Sequence, residues 1–266
     1  MPVLSQLLTG KVISHEKLVE GFYRVRIAAE SLARQAKPGQ FALIRCSSTF
    51  DPLLRRPFSF HDIDAEAGTV SFLYQIRGKG TQLLSQIKEG EQLDIMGPLG
   101  KGFYLPEKPA KTVLVGGGIG VAPLLFLART LKERGYSLTV LLGAATGEQV
   151  LCRQEFEALG AEVQVATDDG SQGHRGYVTD LLEKVLERIA VSLVYACGPW
   201  PMLKKVAVAC RGKDVPCQVS LDRAMACGVG ACLSCVCRTR RNGKNYARIC
   251  REGPVFDSEE VLWDDE

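Results

Sequence analysis

"KTVLVGGGIGVAPLLFLARTLKERG", Lys111 to Gly135, passes from an apolar run through a glycine loop into an apolar stripe with helical spacing. The run reads as a buried strand, the glycines as a tight turn, and the remainder as an amphipathic helix. The alternation continues downstream. "LTVLLG" reads as a strand, Gln154 to Gly160 as a short helix, and "EVQVATDDG" as a strand. "YVTDLLEKVLERIA" reads as a helix, "VSLVYACGP" as a strand, "PMLKKVAVAC" as a helix and "CQVSL" as the last strand. Strands alternating with helices specify a parallel, doubly wound α/β sheet.

Upstream of Pro106 the pattern differs. "GQFALIRC", "RRPFSFHDI", "TVSFLYQI" and "EQLDIMGPL" are short runs bounded by Gly, Pro or acidic turns, with one helix expected near Thr81. Such spacing points to an all-β barrel or sandwich. The expected organisation is a β-barrel domain over 1–105, an α/β domain over 106–220 and a small cysteine module over 221–266. No internal repeat or low-complexity linker is visible. The acidic end, "DSEEVLWDDE", is expected to be a solvated tail on which Trp263 alone could pack.

Composition narrows the functional classes. The chain is 46% hydrophobic and 24% charged, with a formal net charge of +3. That balance argues for neither nucleic acid nor an anionic membrane as partner. The first residues lack the basic, apolar and small-residue regions of a signal peptide. No apolar run approaches the roughly 20 residues of a membrane span. A cytoplasmic, reducing location is therefore expected, where the ten cysteines point to metal or catalysis rather than to disulfides.

Five of those cysteines fall in "MACGVGACLSCVCRTRRNGKNYARIC", Met225 to Cys250. Cys227-x4-Cys232-x2-Cys235 followed by a distant Cys250 is the plant-type [2Fe–2S] spacing. Gly228, Gly230 and Ala231 leave room for backbone N–H groups to turn toward the sulfurs. Structural zinc is the competing reading, but zinc sites usually show two paired knuckles, and only Cys232 and Cys235 make a pair. Asn242-Gly243 is a strong two-residue hairpin signal. Centred there, the hairpin places Cys235 opposite Cys250, and Cys237 opposite Arg248 as a buried thiol. Of Cys46, Cys152, Cys197, Cys210 and Cys217, only Cys197 is expected to do more than pack.

Two segments could hold a nucleotide. Gly116, Gly117, Gly118 and Gly120 lie between strand and helix, where backbone can approach a diphosphate, and Pro123 suits the first helical turn. Tight strand–helix turns need glycine too. The loop also departs from the usual dinucleotide fingerprint, with Val121 at the third glycine position. Cys197, Gly198 and Pro199 end a later strand, where α/β sheets bind ligands; a turn with a buried cysteine reads equally well. In "RRPFS", Arg56 could neutralise a phosphate and Ser59 could hydrogen-bond a ring edge, although a strand end would look the same.

Taken together, "RRPFS", "GGGIGVAP" and "CGP" in this order resemble the ferredoxin reductase superfamily. "MACGVGACLSCVC" and "GPVF" narrow the likeness to the electron-transfer subunits of class B dihydroorotate dehydrogenase, over nearly the whole chain. The resemblance implies an FAD site at Arg56, Pro57, Phe58, Ser59, Leu73, Tyr74, Gln75, Gly80 and Thr81. Gln75 stands where a basic residue is more usual. It implies NAD at Gly116 to Pro123 and Cys197 to Pro199, and cluster ligation by Cys227, Cys232, Cys235 and Cys250. "GAATGE" after the second strand offers no arginine for a 2′-phosphate, which favours NAD over NADP. The implied partner is an FMN-containing dihydroorotate dehydrogenase catalytic subunit, two copies of each, because this chain has no room for a catalytic barrel of about 250 residues. No side chain is expected to act as acid or base. Similar subunits serve ferredoxin- or sulfide-linked NAD(P)H oxidoreductases and electron-bifurcating complexes. A cluster ligand changed from Cys to Asp would point to those, and all four are Cys.

Overall fold

A computed structural model describes residues 6–240 and 245–263. The first part is a closed barrel built from β1 (Gln6–Val19), β2 (Phe22–Ala28), β3 (Phe41–Ile44), β4 (Arg56–Asp64), β5 (Thr69–Gln75) and β6 (Gln92–Leu99). Its strands close in the order β1-β2-β5-β4-β3-β6. Helix α1 (Glu30–Gln35) links β2 to β3, and α2 (Lys79–Leu84) links β5 to β6. Val25, Ile27, Phe58, Phe60, Phe72 and Tyr74 fill the interior. Closure removes the unpaired edges that a sheet of this size would otherwise expose.

The second part begins at β7 (Lys111–Gly117), whose Val113, Leu114 and Val115 are buried on both faces. Each such side chain contributes on the order of 2 kcal/mol, and β-branched or aliphatic runs of this kind belong in a parallel sheet. A 3-10 turn at Gly118–Val121 leads into α3 (Leu124–Glu133). Leu124, Leu127, Ala128 and Leu131 form its buried stripe, at the i, i+3, i+4, i+7 spacing of an amphipathic helix. Then come β8 (Ser137–Ala144), α4 (Arg153–Ala158), β9 (Glu162–Thr167), β10 (His174–Arg175) and α5 (Val178–Arg188). They are followed by β11 (Leu193–Cys197), α6 (Trp200–Arg211) and β12 (Cys217–Ser220). Pro123 thus caps α3 behind a 3-10 turn rather than sitting within its first turn.

The cysteine segment carries β13 (Val236–Arg238), β14 (Tyr246–Arg248) and β15 (Val255–Asp257). The sheet order is β10-β9-β8-β7-β11-β12-β15. Two expectations change here. The last strand of the sheet is β15, not β12, and it pairs antiparallel through Val219↔Phe256. The acidic stretch is also packed rather than solvated as far as it is described, to Trp263. Ser258 and Val261 are buried, Thr239 bridges to Val261, and the Trp263 ring lies 4.9 Å from Trp200. Among the described residues, no helix is long and apolar enough to cross a membrane.

Candidate electron-transfer site

The four candidate cluster cysteines lie as two pairs, Cys227 with Cys232 and Cys235 with Cys250. Backbone N–H groups of Ala231 and Cys232 point at Cys227 Sγ, at 3.3 and 3.4 Å. The N–H of Cys250 points at Cys235 Sγ, at 3.4 Å. Cys235 and Cys250 are buried, Cys227 is half-buried and Cys232 is exposed. Burial opposes ionisation of Cys227, but N–H groups of Cys232, Val229 and Ala231 outweigh it and bring the thiol to about 6. Burial beside Cys235 pushes Cys250 up to about 12. Among the described residues no three His, Cys, Asp or Glu side chains converge on a single ion. Two thiol pairs, each with N–H groups aimed at a sulfur, fit the donor set of a binuclear cluster with two ligands per iron.

The loop can take this shape because Gly228 and Gly230 adopt φ +69° and +82°, a region costly for residues with a Cβ. A Cβ on Gly228 would lie 2.4 Å from Leu43 Cδ1, so the loop is pressed against β3 of the barrel. Arg248 braces it from the other side. Its Nη1 donates to Gly230 O at 2.9 Å, and its Nε donates to Glu252 Oε2 at 2.9 Å. That ion pair holds the Glu252 carboxyl down at about 2.

The hairpin register differs from the expected one by a residue. Cys237 faces Ala247, and Val236 faces Arg248. Cys235 and Cys250 are therefore not a facing pair; they meet where the chain turns just past β14. The Asn242-Gly243 turn lies outside the described residues. Cys237 is buried, and burial raises its thiol to about 11, in keeping with a packing role.

The candidate flavin residues gather on one flank of the barrel. Arg56 opens β4 beside Gly80, whose Cβ would lie 3.1 Å from Arg56 Nε. Thr81 Oγ1 accepts from the N–H of Arg77 at 2.8 Å, shaping the turn before α2. Gln75 Oε1 accepts from Arg77 Nε at 3.0 Å. Alternation along the strands splits the remainder. Phe58 and Tyr74 turn into the barrel with ring centroids 5.6 Å apart, so they offer backbone to a ligand, not their rings. Ser59 alternates with Phe58 and so points out of the barrel, while Leu73 packs with Val121 and Ala122 of the nucleotide loop. Pro57 is half-buried and paired with Leu43, the residue against the cluster loop.

The two candidate nucleotide segments lie side by side. Gly116 and Cys197 are register partners on β7 and β11. A Cβ on Gly120 would lie 2.3 Å from Cys197 O, and one on Gly117 3.1 Å from Pro199 Cδ. From β7 the chain winds to β8 on one side, while β11 and β12 lie on the other. That junction is the topological switch point, where such sheets bind nucleotides. Burial raises the Cys197 thiol to about 12, so the side chain at this strand end is a neutral thiol.

Comparison with known proteins fits this geometry. The iron-sulfur cluster binding domain of dihydroorotate dehydrogenase B matches residues 222–262, and an oxidoreductase NAD-binding domain matches 114–207. The dihydroorotate dehydrogenase B (NAD(+)) electron transfer subunit of Desulforamulus reducens is 42% identical over 98% of this chain and 100% of the relative. That of Geobacillus thermodenitrificans is 43% identical over 94% and 96%. The chain belongs to this family of electron transfer subunits. Among solved structures, an NADH-dependent reduced ferredoxin-NADP oxidoreductase studied for flavin-based electron bifurcation aligns with TM-score 0.86. It is 32% identical, covering 96% of this chain and 90% of that one. The ferredoxin reductase of carbazole 1,9a-dioxygenase, at 22% identity and TM-score 0.69, covers 81% and 68% and shares the fold.

Sequence reading of this family member missed two groups. The Arg248–Glu252 brace could have been suspected from its i, i+4 spacing. His61, buried between barrel and nucleotide loop, gave no local signal.

Proposed function

We propose that this chain is the electron-transfer subunit of an NAD-dependent dihydroorotate dehydrogenase, passing electrons from the FMN of a catalytic partner to NAD+ in pyrimidine biosynthesis. When bound, the [2Fe–2S] cluster exchanges single electrons and FAD converts between single electrons and hydride, so FAD belongs between cluster and nicotinamide. One observation carries the reading: the candidate sites are contiguous. The loop of Cys227 packs on Leu43 of β3, β3 pairs with the Arg56–Ser59 strand β4, and β4 abuts the nucleotide loop. Cys227, Cys232, Cys235 and Cys250 hold the cluster. Arg56 neutralises the flavin diphosphate, and Gly80 lets its guanidinium approach. Ser59 and Leu73 face the flavin from the barrel. Gly116 to Gly120 with Cys197 to Pro199 receive the NAD diphosphate and nicotinamide. The exposed face around Cys232, with Val229 and Leu233 42% and 58% exposed, meets the catalytic subunit. The assembly contains two copies of each subunit and works in the cytoplasm. The domains divide as 1–105, 106–220 and 221–266, although β15 ties the third to the sheet of the second.

Anaerobic purification from the native cells tests this. The expected result is a co-purifying FMN protein of roughly 250 residues or more, with dihydroorotate-dependent NAD+ reduction only in the complex. Dihydroorotate oxidation by this chain alone would overturn it. A second reading has its own support in the close likeness to the ferredoxin-NADP oxidoreductase chain: a subunit of a ferredoxin- or sulfide-linked or bifurcating oxidoreductase. A partner reducing ferredoxin or sulfur compounds, with no response to dihydroorotate, would establish it.

A further inference from the structure

His61 belongs to neither the flavin motif nor the nucleotide motif, yet it is fully buried between them. It sits on β4, two residues past Ser59. The β4–β5 register shifts between Phe60↔Phe72 and Asp62↔Ser71, leaving one extra residue on β4. Such a bulge re-aims side chains. Strict alternation would send His61 and Asp62 to opposite faces; here both reach the segment that carries the nucleotide loop. His61 Nδ1 lies 2.8 Å from Ala122 O. A carbonyl only accepts, so Nδ1 carries the proton and Nε2 the lone pair. Nε2 faces Cys152 Sγ at 3.9 Å, and burial raises that thiol to about 12, so its S–H is the donor. Cys152 holds φ +62° immediately before α4, an uncommon conformation for a residue with a Cβ. One residue along β4, Asp62 accepts from Arg129 Nε at 3.0 Å and Nη2 at 2.9 Å, a two-pronged tie to α3. Arg24 on β2 donates to Glu155 on α4 at 3.0 Å.

We propose that His61, supported by Asp62 and Arg129, is a positioning residue that sets the separation of flavin and nicotinamide for hydride transfer. The proposal rests on the placement of FAD against β4 and NAD against the Gly116–Pro123 loop. His61 gives and takes no proton in the reaction. It ties the strand that presents Ser59 directly to a carbonyl of the loop that presents the nucleotide. Reacting atoms must lie about 3–3.5 Å apart, and a displacement of about 1 Å can cost about a hundredfold in rate.

The test is anaerobic stopped-flow reduction of the holoprotein by NADH. It reads the limiting rate of flavin bleaching, the half-saturating NADH concentration and the long-wavelength charge-transfer absorbance. His61→Ala is expected to slow the limiting rate about ten- to hundredfold and to weaken the charge-transfer band. Flavin and iron per chain should stay unchanged, and half-saturation should move less than about threefold. His61→Asn, whose amide N–H can reach the same carbonyl, should restore most of the rate. Arg129→Ala, at a side chain 41% exposed and tolerant of change, should slow it a few-fold, and carries the test if His61→Ala does not fold. An unchanged limiting rate in the folded variants overturns the proposal, as does flavin loss in step with rate that Asn does not rescue. A wild-type chain that binds no FAD overturns the site assignment and the proposal with it. A fully active wild type beside an unaffected His61→Ala removes the proposal alone.

Discussion

Gly120→Ala offers a direct challenge to the nucleotide site. The new methyl would lie 2.3 Å from Cys197 O and 2.5 Å from both Cys197 C and Gly198 Cα. Carbon–oxygen contacts ordinarily sit at about 3.3 Å or more, so loop and strand end must separate by about 1 Å. The obstacles are backbone atoms of β11 and its turn, which have no rotamer to adopt. Overpacking of this kind costs about 1–3 kcal/mol, equivalent to a roughly 5- to 150-fold loss in NADH affinity if the strain is expressed on binding. At Gly117 the nearest atom is Met202 Sδ, at 2.5 Å, the far end of a flexible side chain that can swing aside. Gly117→Ala should therefore be much the milder of the two. The assay is NADH titration of flavin reduction in the purified holoprotein, with flavin content and cluster absorbance as controls. Gly120→Ala should raise half-saturation into that range and slow hydride transfer while both controls hold. Wild-type behaviour of Gly120→Ala, or an equal defect in Gly117→Ala, would refute the idea that the glycine loop and the "CGP" turn form one site through backbone contact.

Other outcomes follow from the same geometry. Cys250→Ser should abolish the cluster's visible absorbance and electron paramagnetic resonance signal while FAD is retained; an intact signal removes Cys250 from the ligand set. Cys237→Ser should keep the cluster and lower stability by about 1–3 kcal/mol in a melting experiment, because a buried hydroxyl replaces a weakly polar thiol. Arg56→Ala removes charge-assisted hydrogen bonds worth about 1.5–3 kcal/mol, so FAD should dissociate roughly 10- to 150-fold more readily; unchanged retention on gel filtration removes Arg56 from the site. Burial lowers the pKa of His61 below its ordinary 6.5, with Asp62, Arg24, Glu155 and Cys152 as the surrounding groups. The folded state therefore prefers the neutral ring. Its stabilising contribution is complete above 6.5 and falls with pH below it, by at most about 1.4 kcal/mol per pH unit. The melting advantage of wild type over His61→Asn should shrink from pH 7 to pH 5, and a constant difference would show that His61 does not titrate between the two states.

Much of this architecture could be read from residue spacing because its signals are local. Val113 to Gly120 announces a strand and turn, and the x4, x2 cysteine spacing announces a two-iron loop, each within a dozen residues. Register was harder. Moving a hairpin by one residue changes which side chains face each other, and the Thr239 N–H bonds to Asn245 O rather than to a partner one place further on. The sequence places Cys235 and Cys250 in one hairpin, but their meeting depends on the turn after β14. β15 escaped notice because three residues, "VFD", carry no periodicity, and the acidic stretch after them looks solvated. What makes them a strand is the free edge of β12, a partner 35 to 39 residues earlier in the register Gln218↔Asp257, Val219↔Phe256 and Ser220↔Val255.

The consequence of that edge pairing is mechanical. The cluster segment leaves the sheet at the end of β12 and returns to the same strand as β15, so both ends of the cluster loop are fixed to the α/β domain. Leu221 N–H donates to Pro254 O at 2.9 Å, and Lys101 N–H donates to Gly253 O at 2.5 Å, which ties the returning chain to the barrel as well. The loop is thus held by both larger units, while Gly228 on Leu43 fixes its depth. Electron transfer needs separations held constant between groups that the protein binds but does not cover completely. Local motifs specify who binds. Contacts across the seams, at Leu43, His61 and Gly253, specify how far apart, and they join segments 61 to 185 residues apart in the chain, beyond the reach of any spacing rule.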